Sequence, residues 1–429
     1  ITTDTLPDID IIEPTANEPV AFLQYTSGST GHPKGVIITH RNLLHNLEQI
    51  YLSFQHSQDS VGVSWLPPYH DMGLIGGILQ PLFGGFEANL MSPLTFLRRP
   101  ARWLAAISKY KATSSGAPNF AYELCIKYAG HKCLEGIDLS CWNIAFNGSE
   151  SVRASTLKNF SAAFEYAGFK KEAFYPCYGL AESSLFVTGP KVGRPFSAIS
   201  ADKQQLAQGL FVPQANHNAM ELVGVGFPVG ADLAIVDPES HELCNDTHIG
   251  EIWIKSPSVA AGYWQKTAET SSTFGVYTKS GQGPYMRSGD LGFMFQGELY
   301  VTGRCKEVII LNGCNYYPYD IEHTVQACGD AIRADATVAF SVDTNGAEKL
   351  IIIQELYRKR GNTVDIAQLK KNISERVYEK HGLLIHDLVL VKQATLPKTT
   401  SGKLKRVEVK QQYLANAIHD EVMPYQNAS

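Results

Sequence analysis

An α/β fold, with a large layered part followed by a smaller α+β unit, is what this sequence predicts, on three observations. From Ala21 short apolar runs alternate with stretches of helical periodicity. After Glu221 strand-like runs broken by Gly and Pro replace them. Beyond Gly303 a shorter mixture of both textures resumes. Residues 35–39, Gly-Val-Ile-Ile-Thr, read as a strand. Residues 42–51 follow with Leu43, Leu44, Leu47, Ile50 and Tyr51 on one helical stripe. Residues 101–111 and 152–166 carry similar helical signals. Residues 223–236 and 250–254 read as strands, and Gln296-Gly297 marks a hairpin turn. In the last third, strands are expected at 337–342, 349–355 and 388–391, with a helix over 366–380. The main boundary is placed at 304–306. That gives a large unit over 1–303, β-rich from about 221, and a small one over 304–429. Residues 193–219 are polar with little periodicity and read as a long loop, a length that is uncommon inside a domain unless it has a role.

Length and composition bound the function. A chain of 429 residues exceeds one small core, so two or three units are expected. Hydrophobic residues at 44% and charged residues at 18% fit a water-soluble globular protein. A formal charge of −5 leaves no basic stripe for nucleic acid and no polybasic patch for a membrane surface. No run approaches the roughly 18 apolar residues that read as a bilayer-spanning helix. The opening residues are polar and acidic, unlike a signal peptide. Eight cysteines are scattered without a C-x-x-C pair, and His131 beside Cys133 has no second pair at ligand spacing. They read as small buried hydrophobes of a reduced, cytoplasmic protein.

The first motif runs from Tyr25 to Val36, YTSGSTGHPKGV. Its glycines let the backbone approach an anion closely, and its hydroxyls and N–H groups are donors suited to phosphate oxygens. Lys34 adds a cation. The spacing is not that of G-x-x-x-x-G-K-[ST], and taken alone the tract is equally a flexible Gly/Ser turn. Further along come Tyr175 to Ser183 (YPCYGLAES), Tyr285 to Asp290 (YMRSGD), Gly303 to Glu307 (GRCKE) and Pro397 to Arg406 (PKTTSGKLKR). Each has a bland reading in isolation, the last as a solvated basic run.

Together, in this order, these five motifs resemble those of the adenylate-forming enzymes, which include acyl-CoA synthetases, luciferases, peptide-synthetase adenylation domains and fatty acyl-AMP ligases. The resemblance spans nearly the whole chain. It implies a large adenylating domain and a small mobile lid. Thr26, Ser27, Gly28, Ser29, Thr30, Gly31 and Lys34 are then expected to hold the phosphates of ATP. Gly148, Ser149 and Glu150, with Tyr178, Gly179, Leu180 and Ala181, are expected at adenine. Glu182 is expected to supply a hard oxygen to Mg²⁺, with Thr26 beside it. Asp290, whose carboxylate has acceptors and no donor, suits both ribose hydroxyls, with Arg304 nearby. Lys306 is the expected hinge. Lys403 is the expected catalytic cation, offsetting charge as carboxylate attacks the α-phosphate.

Three features point to the fatty acyl-AMP ligase branch. Trp65 to Gly73 (WLPPYHDMG) resembles that branch's fourth motif, with His70 as an orienting donor. Ser115 to Ala121 resembles its acyl-binding segment, so Gly116, Ala117 and Pro118 are expected along an acyl tunnel. No Asp stands ready to pair an α-ammonium, which disfavours amino acid substrates. Residues 193–217 match an insertion of this branch thought to restrict the rotation needed for CoA attack. The implied acceptor is a holo acyl carrier protein or a polyketide synthase carrier domain. An acyl-CoA synthetase and a module without catalysis remain the rival readings. The implied state is a monomer or weak dimer, with no nucleic acid and no membrane insertion. The family carries a substantial region before the phosphate loop, whereas here 24 residues precede Tyr25.

Overall fold

The computed structural model describes residues 20–26, 33–215, 219–311, 314–344, 347–357, 365–398 and 404–420. Strands β1 (Val20–Thr26) and β2 (Lys34–Thr39) pair antiparallel, with Thr26 opposite Lys34. Helix α1 (His40–Ser53) starts directly after β2. Thr39 and Asn42 satisfy each other's backbone N–H groups in a capping box, which fixes the turn between strand and helix. The Asn42 side chain also donates to Pro257 O and Val259 O, at 2.7 and 2.8 Å.

A five-stranded parallel sheet follows: β3 (Val61–Ser64), β4 (Glu87–Leu90), β5 (Ser114–Ala117), β6 (Ile144–Asn147) and β7 (Phe174–Pro176), in the order β4-β3-β5-β6-β7. Helices Ala101–Tyr110, Asn119–Ile126 and Ala154–Phe164 contribute to the apolar core beside it. Their inward residues Trp103, Tyr122 and Phe160, with Trp142 from the segment before β6, are fully buried in the largest core cluster among the described residues. Two of its indoles are paired: Trp103 Nε1 donates to Ser115 Oγ at 2.8 Å, and Trp142 Nε1 to Ser115 O at 3.0 Å. Gly116 is required by packing, since a Cβ would lie 2.2 Å from Phe146 O.

The predicted β-rich stretch forms an antiparallel sheet of Asp232–Val236, Gly250–Lys255, Met286–Phe295 and Glu298–Arg304, in that order. Gln296 and Gly297, both at positive φ, make the predicted hairpin turn. Beyond it, Ile332–Thr344, Ala347–Leu356 and Ile385–Lys392 form a three-stranded sheet. Two apolar clusters pack against it, one including residues of helices Pro318–Gln326 and Ile366–His381.

The expected loop at 193–219 is corrected by the structure. Strand Ala198–Asp202 leads into helix Lys203–Ala207, capped by Asp202, and the strand pairs with Ala219–Val223. Ala201, Leu206, Phe211 and Leu222 bury against Phe293 and Tyr300, with Phe211 stacked on Phe293 at 4.5 Å. The apolar residues are spread over elements of about five residues, too short to show a period.

Among the described residues no helix is long and apolar enough to cross a membrane. All eight cysteines are free thiols. His56 is buried beside Phe86, with Nε2 3.2 Å from Ser114 Oγ, and burial pushes its pKa down to about 4. Its unfolded form binds a proton below about 6.5 and its folded form does not until about 4. Stability therefore falls as pH drops through that window, by on the order of 3 kcal/mol from this residue. Thermal melting of His56→Gln between pH 7.5 and 4.5 is expected to show a flatter decline than the parent chain.

Candidate functional site

Between the parallel sheet, the antiparallel sheet and the residues after 304 lies a cleft of about 2690 Å³. The elements that reach it carry most of the sequence-predicted residues. Thr26 and Lys34 lie at the facing ends of β1 and β2, and both line the cleft. Ser27, Gly28, Ser29, Thr30, Gly31 and Lys403 lie outside the described residues.

Residues 260–264 run alongside β2. Ile37 N donates to Gly262 O at 2.9 Å, Ala261 N to Ile37 O at 3.1 Å, and Trp264 N to Gly35 O at 2.7 Å. This places Tyr263 beneath Lys34, whose ammonium lies 4.7 Å from the ring centre. The phenol donates to Glu182 Oε1 at 2.9 Å. Glu182 sits in the short 3₁₀ turn Ala181–Ser183, and burial raises its carboxyl above the usual range. A buried carboxylate of this kind gains most from a nearby cation.

One strand further in, Tyr178 and Asp290 meet. The Tyr178 hydroxyl donates to Asp290 Oδ2 at 2.8 Å, while Arg304 Nε donates to Oδ1 at 3.0 Å. Asp290 and Arg304 are cross-strand partners in the antiparallel sheet, so the ion pair follows from register. Asp290 is the largest cause of a raised Arg304 pKa. Burial raises the Tyr178 phenol well above its ordinary value, so it stays a donor. Gly289, at φ 74°, turns the strand here, and its N–H donates to Glu251 Oε1 at 3.0 Å. Glu251 also accepts from Arg287 and Trp253, at 2.8 and 2.9 Å.

On the sheet side, Ser149 (φ 71°) and Glu150 line the cleft, while Gly148 stands behind them against Cys177, whose carbonyl leaves no room for a Cβ. Glu150 Oε1 accepts from Phe120 N at 2.7 Å. Gly179, Leu180 and Ala181 line the wall between Tyr178 and Glu182. His70 follows the turn at Pro67, with Nδ1 2.5 Å from Asp71 Oδ1. That turn exists because Gly73 approaches Pro67 so closely that a Cβ would sit 2.0 Å from its carbonyl oxygen. Pro118 lines the cleft with Trp65, Leu66, Met72 and Phe120, whereas Gly116 and Ala117 are buried in β5 behind it.

The residues after 304 close the other side. Lys306 is exposed on the rim. Arg406 is clamped by Glu307 and by both oxygens of Glu322, at 2.8 and 3.0 Å for the latter. Lys398 and Leu404 form a β-bridge. Arg153 joins the two sides. Its guanidinium holds Glu123 at 2.9 Å and lies 4.5 Å from the Tyr319 ring centre, with Nε hydrogen-bonded to the phenol oxygen. Tyr319 donates to Ser151 O at 3.2 Å.

Tyr263, Glu251, Arg153 and Tyr319 were not singled out from sequence. The only local signal was an aromatic pair, Tyr263-Trp264, after a strand. Among the described residues no three His, Cys, Asp or Glu side chains gather as a metal cage. The donor set still fits Mg²⁺, which is commonly held by one or two carboxylates plus substrate phosphates.

The family described as "AMP-binding enzyme" matches residues 3–264, and the AMP domain of Disco-interacting protein 2-like proteins matches residues 306–422. The chain is 41% identical to the medium-chain fatty acid–[acyl-carrier-protein] ligase JamA of Moorena producens, over 96% of this chain and 70% of that one. It is 40% identical to the ligase TtuA of Teredinibacter turnerae, of the same description, over 95% of this chain and 65% of that one. A fatty acid AMP ligase structure from Legionella pneumophila matches with a TM-score of 0.68 at 43% identity, covering 95% of this chain and 71% of that one. A structure from work on fatty acyl-adenylate ligases of E. coli and L. pneumophila matches with a TM-score of 0.84 at 33% identity, covering 93% and 70%.

Proposed function

The chain belongs to the AMP-binding enzymes, on their fatty acyl-AMP ligase branch, and from that premise we propose that it activates a medium- or long-chain fatty acid with ATP and passes the acyl group to a carrier protein. The observation that supports this reading best is the Asp290 carboxylate, fixed between Tyr178 and Arg304 on the cleft that Glu182 also lines. There Asp290 accepts from the ribose hydroxyls, and Tyr178, with Ser149 and Glu150 opposite, borders the adenine.

In the first step a carboxylate oxygen attacks the α-phosphorus, the bond to the β-phosphate oxygen breaks, and pyrophosphate leaves. Lys34, with Thr26, Ser27, Gly28, Ser29, Thr30 and Gly31, holds the departing phosphates. Glu182, beside Thr26, would hold Mg²⁺, which supplies charge neutralisation between phosphate oxygens when bound. His70, its imidazole oriented by Asp71, faces the carboxylate, with the apolar chain running past Pro118 and its backing residues Gly116 and Ala117. Lys403 offsets the charge of the pentavalent phosphorus. In the second step a phosphopantetheine thiol attacks the acyl carbon and AMP leaves. We place the unit boundary at 304–306, with Lys306 as the pivot between the steps. The acceptor is a holo acyl carrier protein or polyketide synthase carrier domain, and the setting is the cytoplasm.

Lys403→Ala is expected to abolish adenylate formation while sparing transfer from supplied acyl-AMP; equal loss of both steps contradicts the assignment. The acceptor is tested by incubation with ATP, fatty acid and either CoA or holo carrier protein. Efficient acyl-CoA formation would replace this reading with an acyl-CoA synthetase.

A further inference from the structure

We infer that Tyr263 is a positioning residue that fixes the Glu182 carboxylate to the strand carrying Lys34, so that one rigid unit presents both groups to the triphosphate. The inference rests on the function proposed above and extends it to a residue outside the recognised motifs.

Four contacts carry it. The Tyr263 hydroxyl donates to Glu182 Oε1 at 2.9 Å, while the ring lies under the Lys34 ammonium at 4.7 Å. The backbone makes the same link independently. Ala260 N donates to Glu182 O at 2.9 Å, and Tyr263 forms a β-bridge with Val36, two residues after Lys34. Tyr263 is itself held: it is 7% exposed and sits edge-on to Phe274 at 5.2 Å. A core tyrosine needs only some acceptor for its hydroxyl. Here the acceptor is Glu182, the carboxylate proposed above to meet a phosphate-bound cation, and the face of the same ring meets the Lys34 ammonium.

The chemistry follows from the lone pairs. The phenol occupies one acceptor site on Oε1 and leaves the carboxylate further lone pairs, which restrains its rotation without neutralising it. Partners of this kind behind a metal ligand typically change metal affinity or activity by about 10–100-fold when removed. The ring face adds a separate, weaker restraint on Lys34.

The test compares Tyr263→Phe, which removes only the hydroxyl, with Tyr263→Leu, which also removes the ring. Binding of Mn²⁺ to the protein–ATP complex is read by electron paramagnetic resonance, beside the Mg²⁺ dependence of ATP–pyrophosphate exchange and transfer from supplied acyl-AMP. Tyr263→Phe should weaken Mn²⁺ binding and raise the Mg²⁺ requirement about tenfold or more, with acyl transfer unchanged. Tyr263→Leu should add a loss of ATP affinity measured without metal. In a Glu182→Gln background, Tyr263→Phe should have no further effect on exchange. Unchanged metal dependence in Tyr263→Phe, or an undiminished loss in the Glu182→Gln background, overturns the inference. Absence of exchange in the parent chain would instead defeat the proposed function, and the Mn²⁺ measurement would still decide the role of Tyr263.

Discussion

Replacing Asp290 with alanine is expected to lower ATP–pyrophosphate exchange by about two to four orders of magnitude, mainly through weaker ATP binding. Hydrogen bonds to a charged group are worth about 1.5–3 kcal/mol each, and Asp290 is proposed to make two to the ribose. Each 1.36 kcal/mol is roughly tenfold in rate. The loss is compounded within the protein, because Tyr178 and Arg304 both spend their side chains on this carboxylate. Without it the Tyr178 hydroxyl loses its carboxylate acceptor and the Arg304 guanidinium loses its partner on the strand. Asp290→Asn, which keeps the shape and removes the charge, should fall between. Steady-state exchange kinetics over a range of ATP concentrations check this, and a loss under tenfold in the alanine variant contradicts it.

The second large effect concerns stability. Arg406→Met is expected to destabilise the protein by about 3–5 kcal/mol, the usual consequence of removing one partner from a buried ion pair. Arg406 meets both oxygens of Glu322, which is 6% exposed, and it also pairs with Glu307. Glu322 keeps one partner, the Ala339 N–H at 3.0 Å, which is too little for a buried carboxylate. The double variant Arg406→Met, Glu322→Leu should recover part of the loss, since the buried Glu322 charge is gone and only the more exposed Glu307 lacks its partner. Denaturant melts of the three variants against the parent check both statements. The clamp also has a positional meaning. Glu307 is adjacent to the hinge candidate Lys306, and Arg406 stands three residues after Lys403, so one ion pair ties the two segments together.

Much of this fold was legible because its helices and strands repeat their patterns over enough residues. The helix read at 42–51 spans His40–Ser53, and the one read at 366–380 spans Ile366–His381. Strand ends were less legible. The strand read at 337–342 begins at Ile332, because a register shift before Thr337, with Asp335 at φ 55°, hides the alternation. Residues 193–219 failed for the opposite reason: their elements are too short to establish a period, and their apolar partners Phe293 and Tyr300 are remote in sequence. The candidate site divides along the same line. Tyr178, Glu182, Asp290 and Arg304 each lie in a short continuous motif. Tyr263 acts across 81 residues to Glu182, and Arg153 across 166 to Tyr319, distances over which no local pattern carries information.

The contact between Arg153 and Tyr319 bears on the pivot proposed above. Any swing of the part beyond residue 304 must unstack that ring from the guanidinium. The Arg153 guanidinium would not be stranded when it does, because Glu123 stays with it on the same side of the cleft. The departing group is a neutral phenol that water can solvate. The contact is therefore one that the proposed pivot breaks while Arg153 remains paired to Glu123.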